Sequence, residues 1–257
     1  MLDVGDDAIC IKSGKDEEGR NRGKATQNGI IRNNTIYKGH GGFVIGSEMS
    51  GGAKNIFLYN CSFIGTDKGL RFKSTRGRGG IVENIYARDL IMKDIKDEAV
   101  FFDMYYFVQF ATDGVRYTRP EVNAGTPIFR NMHFDNISCN GAKKAIFIRG
   151  LPEMPVTGIH ISNCTLNAEA GVELVDAGNI TFENIRFNIS SKDYVMQADN
   201  VIGLTASAIH YPAGISKLLK ISGNRSKSIN MSGTGSVITA KNIETGSEVP
   251  LGTVQLK

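Results

Sequence analysis

Ile56-Phe57-Leu58-Tyr59-Asn60-Cys61-Ser62-Phe63 carries an apolar residue first, an asparagine fifth and an apolar residue last. The same eight-residue unit, with Asn or Asp in fifth place, stands at Ile30 to Tyr37 (Asn34), Ile85 to Met92 (Asp89), Met132 to Cys139 (Asn136), Ile159 to Leu166 (Asn163) and Ile180 to Phe187 (Asn184). These markers lie 26, 29, 47, 27 and 21 residues apart, a single period interrupted by one long gap. A second unit, a small residue followed by a short apolar-rich strand, keeps step with the first. It reads Ala8 to Lys12, Gly42 to Gly46, Gly69 to Lys73, Ala99 to Asp103, Ala145 to Arg149 and Gly171 to Val175. Two short strands in each turn of about 20 to 30 residues, with no helical period between them, predict an all-β chain. The fold expected is a right-handed parallel β-helix, a solenoid whose coils stack on one another as one domain over residues 1–257.

In such a solenoid the Asn markers are expected to form a ladder at one inner corner, each side chain bonding to the turn and to the marker on the next coil. The triplets Asn60-Cys61-Ser62 and Asn163-Cys164-Thr165 then read as ladder positions rather than glycosylation sites, since an inward Asn is closed to a transferase. The repeat fades after Phe187, so Lys217 to Lys257 is expected to hold irregular last coils or a terminal strand. Phe101-Phe102-Asp103-Met104-Tyr105-Tyr106-Phe107 falls in the long gap, where a loop is expected to leave the coil. Tyr105 and Tyr106 read as packing residues, with stacking on a sugar as the sharper alternative. His133, His160 and His210 have no acidic partner in register and read as structural.

Composition agrees with many short strands and turns: 41% of the 257 residues are hydrophobic, Gly is abundant at 30, Pro is scarce at 6 and Trp is absent. No stretch is long and apolar enough to cross a bilayer, so no membrane partner is expected. Met1 to Asp7 has neither the basic nor the apolar region of a secretory leader. The four cysteines have no close spacing, which signals neither a zinc site nor a disulfide framework. The net charge of +4 is mild, but basic residues cluster in Lys12 to Lys24 and in Arg71 to Arg78. That suggests an anionic partner; no aromatic platform or nucleic-acid motif accompanies them, so an acidic polysaccharide remains open.

Gly5-Asp6-Asp7-Ala8 sets two adjacent carboxylates against a strand. Holding like charges together in partial burial pushes their pKa values apart, as a general acid and base pair requires. Register supplies neighbours, because equal positions in successive coils stand about 4.8 Å apart. Asp6 lies two places before Ala8 and His40 two places before Gly42, so the two are expected side by side. Gly39 and Gly41 around His40 leave room for close approach. Lys12 and Lys73 share another column, and Arg71 points to the same side of its strand as Lys73, with Phe72 facing the core. A guanidinium beside an ammonium makes a receptor for a carboxylate.

Gly5-Asp6-Asp7, Gly39-His40-Gly41 and Arg71-Phe72-Lys73, in that order, resemble the motifs of the polygalacturonases, glycoside hydrolase family 28. Gly39 to Gly52 is similar to exo-acting and plant- or bacterial-type members, and Phe72 stands where the family more often has Ile. The resemblance is strongest from Asp3 to Lys73 and beyond about Thr126 rests on the repeat alone. It implies hydrolysis of α-1,4-linked galacturonic acid with inversion, in pectin or polygalacturonate, by a secreted, periplasmic or cell-wall protein. By position Asp6 is the general acid, Asp7 helps to activate water and His40 tunes Asp6 or assists proton transfer. Arg71 and Lys73 hold the galacturonate carboxylate, Lys12 is a further substrate-binding candidate, and Arg76 and Arg78 read as surface charge. No metal or cofactor is implied, and a monomer is expected. The family has a further Asn-Thr-Asp motif one coil before the paired acids, and only four residues precede Gly5 here. The chain is therefore expected to be a catalytic domain lacking its N-terminal coils and cap, with activity lowered by about 10²- to 10⁴-fold if one water-activating carboxylate is lost. The alternative is a non-catalytic β-helix that binds an anionic polysaccharide.

Overall fold

The computed structural model describes residues 1–108, 118–233 and 238–256. They form a right-handed parallel β-helix built from two parallel sheets, one of eleven strands and one of nine. The first is made of long strands such as Ala53–Ile64, Ile81–Lys93, Ile128–Asn140, Val156–Ala168 and Ala177–Ile189. The second stacks short strands: Asp7–Ile11, Gly41–Gly46, Leu70–Lys73, Glu98–Asp103, Lys144–Arg149, Ala170–Val175, Tyr194–Asp199, Lys217–Ser222 and Ile243–Thr245. Each chain turn runs once through each sheet and pairs with the turn next to it; one turn enters the first sheet as two strands, Thr26–Arg32 and Thr35–Tyr37, both paired with Ala53–Ile64. Among the described residues no helix is long and apolar enough to cross a membrane.

The core lies between the sheets and is sorted into columns by the same register. Ile45 pairs with Phe72, Phe72 with Phe102, and Phe102 with Ile148. Phe72 and Phe102 stack with ring centroids 4.3 Å apart, and Phe134 from the long-strand sheet meets Phe72 at 5.6 Å. Cys61, Cys139 and Cys164 are buried free thiols in this core, and burial pushes those of Cys139 and Cys164 up to about 12.

The ladder exists, but it stands outside the core. Asn60, Asn136, Asn163 and Asn184 are exposed, and each adopts a left-handed backbone with φ between 51° and 54°. They bend the long strands around the core, with their own side chains outside and flanking residues such as Phe134 and Ile137 buried in it. Asn136 donates to Asp89 at 2.7 Å and Asn184 to Asn163 at 2.8 Å. Asn33, rather than Asn34, begins the column: Asn60 donates to it at 2.8 Å, whereas Asn34 turns back onto the Arg32 carbonyl. Inwardness therefore gives no reason to exclude these triplets from modification. A second left-handed column lies five residues earlier, with Asn55 donating to Asn28 and Asn84 to Asn55, both at 3.0 Å, and Asn131 to Asn84.

Three further expectations need correction. The coils continue past Phe187 through the strands Tyr194–Asp199, Ile202–His210, Lys217–Ser222 and Lys227–Ser232. The letters fade because Gly203, Ala208 and Ser228 take over the left-handed positions; residues 234–237 and 257 of that tail lie outside the described residues. Phe101 to Asp103 belongs to a strand, so the excursion begins after Asp103, and its residues 109–117 also lie outside the described residues. The basic stretch Lys12 to Lys24 contains a helix, Asp16–Arg22, with acids in its first turn, Arg20 and Arg22 in its last, and Gly23 closing it in the left-handed region. Seven residues without an apolar stripe give no helical period to detect.

The ladder account separates two contributions at Asn136. Asn136→Gly is expected to lose about 0.5 to 1.5 kcal/mol in urea unfolding, the contribution of its hydrogen bond to Asp89. Asn136→Ala is expected to lose about 1 to 2 kcal/mol more, because a Cβ is then forced into the left-handed region without a polar side chain to compensate. Equal losses in the two variants would contradict the backbone part of the explanation.

Candidate active site

The outer face of the short-strand sheet, at the end formed by its first three strands, gathers the charged residues singled out in the sequence. Asp7 pairs with Gly41, which sets Asp6 beside His40, and Val44 and Gly46 pair with Arg71 and Lys73. His40 Nδ1 lies 3.1 Å from Asp6 Oδ1, and the His40 backbone N–H donates to the Asp6 carbonyl at 3.1 Å. Gly39 makes this approach possible, and Gly41 makes room for Val44 and Arg71. A Cβ on Gly39, whose φ is +82°, would meet the Asp6 carbonyl oxygen at 2.5 Å, and one on Gly41 would meet Val44 at 2.6 Å. The glycines admit neighbouring coils as much as any ligand.

The two acids have different surroundings. The Asp6 side chain is 84% exposed, and its Oδ1 also accepts the Asp7 backbone N–H at 2.7 Å. That backbone bond, followed by the His40 contact, holds the Asp6 carboxyl below the usual carboxylate range. The Asp7 side chain is only 8% exposed and lies between two cations. Arg71 Nη1 donates to its Oδ1 at 2.9 Å, and Lys73 Nζ, itself 6% exposed, donates to its Oδ2 at 2.6 Å. The receptor for a carboxylate expected at Arg71 and Lys73 thus exists, and an internal carboxylate occupies it. Alternation delivers both cations to the outer face while the intervening Phe72 is buried in the core.

Tyr106 is placed here by structure alone. Its ring lies 4.8 Å from Lys73 Nζ and 5.7 Å from the Arg71 guanidinium carbon, while Tyr105 is buried. It follows a strand rather than occupying a repeat position, so register could not locate it. The Cys10 thiol also borders the cluster, 3.9 Å from Asp7 Oδ2, and burial raises its pKa.

Other candidates fall outside the cluster. Lys12 shares its column with Lys73 through Gly46, yet its amine pairs with Glu48 at 3.3 Å on the surface. Arg76 and Arg78 are internal ties rather than surface charge. Arg76 makes a two-pronged contact with Glu153 at 2.6 and 2.8 Å, and the nearly buried Arg78 pairs with Asp16 at the start of the helix. His160 does have an acidic neighbour, Glu183 at 3.4 Å, and His133 stacks on Tyr86 at 5.4 Å. Among the described residues no three His, Cys, Asp or Glu side chains stand close enough to share a metal ion.

Residues 1–168 match the family described as Glycosyl hydrolases family 28. The chain is 30% identical over 172 residues to a probable polygalacturonase of Vitis vinifera, an overlap covering 66% of this chain and 33% of that protein. It is 27% identical over 190 residues to an exo-poly-alpha-D-galacturonosidase of Dickeya chrysanthemi, covering 73% and 31%. Among solved structures, a hyperthermoactive exopolygalacturonase from Thermotoga maritima superposes with a TM-score of 0.61 at 30% identity, covering 73% of this chain and 41% of that one. The matched stretch thus amounts to about a third of the length of these two curated relatives.

The Asp6 environment has a measurable consequence. In carbon-detected NMR titration its carboxyl is expected to titrate below the ordinary carboxylate range, and in His40→Ala to move up toward it. A depressed folded-state value stabilises the fold above the ordinary carboxylate range, and that contribution is lost as pH falls through the folded-state value. An unchanged Asp6 titration in His40→Ala would show that the contact carries no such coupling.

Proposed function

The chain belongs to glycosyl hydrolases family 28, and from that premise we propose that it hydrolyses α-1,4-galacturonosidic bonds of pectin or polygalacturonate by an inverting acid–base mechanism. The observation that carries this reading is the convergence of Asp6, Asp7, His40, Arg71 and Lys73, from three coils, on one patch of the outer face. A bare scaffold has no use for an exposed Asp6 set beside this enclosed ion cluster, whereas glycoside hydrolysis with inversion needs two carboxyl groups with water between base and sugar.

In this mechanism the Asp6 carboxylic acid gives its proton to the glycosidic oxygen as the C1–O bond breaks. Water attacks C1 from the opposite face, delivers its hydroxyl there and passes its proton to Asp7. Arg71, Lys73 and the Cys10 thiol take three of the roughly four lone-pair sites of the Asp7 carboxylate, which leaves one for that water. His40 is the positioning residue that holds Asp6 Oδ1 and leaves Oδ2 toward the ring. Tyr106, against both cations, limits their movement.

The lowered pKa of free Asp6 favours a surface that only binds, because an ionised carboxylate has no proton to give. Substrate charge resolves the conflict. A uronate carboxylate beside Asp6 disfavours its anion, so a galacturonate unit and the catalytic proton bind together. That a polymer of this kind is met outside the cytoplasm supports a working protein at a cell wall, in the periplasm or in the medium.

Reducing ends released from polygalacturonate test the reading. Asp6→Asn is expected to lower kcat by about 10²- to 10⁴-fold, and NMR of the first product is expected to show the β-anomer formed by inversion. Binding without turnover in both the parent chain and Asp6→Asn would make this a polysaccharide-binding solenoid.

A further inference from the structure

The charge on the outer face of the short-strand sheet is distributed unevenly. At the cleavage patch Arg71 and Lys73 face the single carboxylate of Asp7, so with Asp6 protonated, as a general acid must be, the patch holds one cation in excess. Over the next three strands, Glu98–Asp103, Lys144–Arg149 and Ala170–Val175, the cations of the described residues are matched. Lys68 contacts Asp97 at 3.1 Å and Glu98 at 2.9 Å, and Lys143 shares Asp97 at 3.3 Å. Lys144 pairs with Glu173, and Arg149 grips Asp103 with two hydrogen bonds of 2.9 Å.

Between these pairs lies an apolar strip. Phe101 and Phe147, which follow Arg71 in its column, are partly exposed and stack at 5.5 Å. Lys68 Nζ lies 4.7 Å from the Phe101 ring centroid, and Lys144 Nζ and the Arg149 guanidinium carbon lie 5.1 and 5.4 Å from that of Phe147, so the cations beside the rings rest on their faces while their charge is already met by Asp97, Glu98, Glu173 and Asp103. A second free uronate carboxylate laid along this surface meets no surplus cation and displaces water from rings that cannot hydrogen-bond to it. A methyl ester or a neutral sugar loses little there and covers the phenylalanine edges.

Resting on the proposed activity and on a substrate that runs along this sheet, we propose that the site takes a chain with one free uronate at the cleavage patch and esterified or neutral units over Phe101 and Phe147. Its substrate class is partially methyl-esterified pectin rather than fully de-esterified polygalacturonate. The selection arises from charge balance among the described residues: one excess cation at Arg71 and Lys73 once Asp6 is protonated, and matched pairs over the next three strands.

The test measures both turnover and affinity, the second by isothermal titration with Asp6→Asn, on polygalacturonate and on the same polymer randomly half-esterified. The half-esterified polymer is expected to be bound and cut at least as well as the free acid. Phe147→Lys, which adds a cation to the strip, is expected to shift the affinity ratio toward the free acid by about two- to fivefold, the size of one exposed charge contact. A half-esterified polymer bound or cut about tenfold or more worse, while polygalacturonate is cut well, would overturn this inference and leave the proposed activity intact. Neither polymer bound nor cut would overturn both.

Discussion

Parallel pairing in register is the constraint on which the rest depends. Once a coil is fixed to its neighbour at about 4.8 Å, every residue inherits the residue one period away as its contact, whatever its chemistry. Apolar columns become stacked cores such as Phe72 on Phe102, and Asn columns become hydrogen-bonded ladders such as Asn60 on Asn33. The site obeys the same rule: Asp6 meets His40 because their coils are in register, and Arg71 and Lys73 reach Asp7 from two coils away. A slip of one residue between coils would turn Phe72 out and the two cations in.

Asp7 is the electrostatic hub of the outer face. Its carboxylate is nearly enclosed, and such a group is costly unless its charge is met; two cations meet it. Those cations are thereby preorganised beside the exposed Asp6 without a ligand being present. The arrangement explains why a bulky aromatic, Tyr106, can lie against them.

Much of this was legible in the sequence because a solenoid turns periodicity into contact. The short-strand units from Ala8 to Val175 all became neighbours in one sheet, and the pairing of Asp6 with His40 followed from counting. Where side chains choose between equivalent partners, counting gave no answer: Lys12 holds the same column as Lys73 yet turns to Glu48. Where the backbone matters more than the letter, the repeat became hard to see, as at Gly203, Ala208 and Ser228, which keep the left-handed bend without an asparagine. Asn28, Asn55, Asn84 and Asn131 did carry a signal, an asparagine five residues before the ladder position. Elements without a period, the helix Asp16–Arg22 and the segment bearing Tyr106, came from tertiary packing alone.

The central claim is that the acidic polysaccharide is worked on at the end of the outer face where Asp6, His40 and the Asp7 cluster meet. The most direct test is amide chemical-shift mapping of Asp6→Asn titrated with a galacturonate trimer. The shifts are expected to cluster in Asp6–Ile11, Gly39–Gly46 and Leu70–Lys73. Shifts confined to the opposite sheet around Phe57, Tyr86 and His133, or saturable binding that leaves the Asp7 surroundings unmoved, would contradict it.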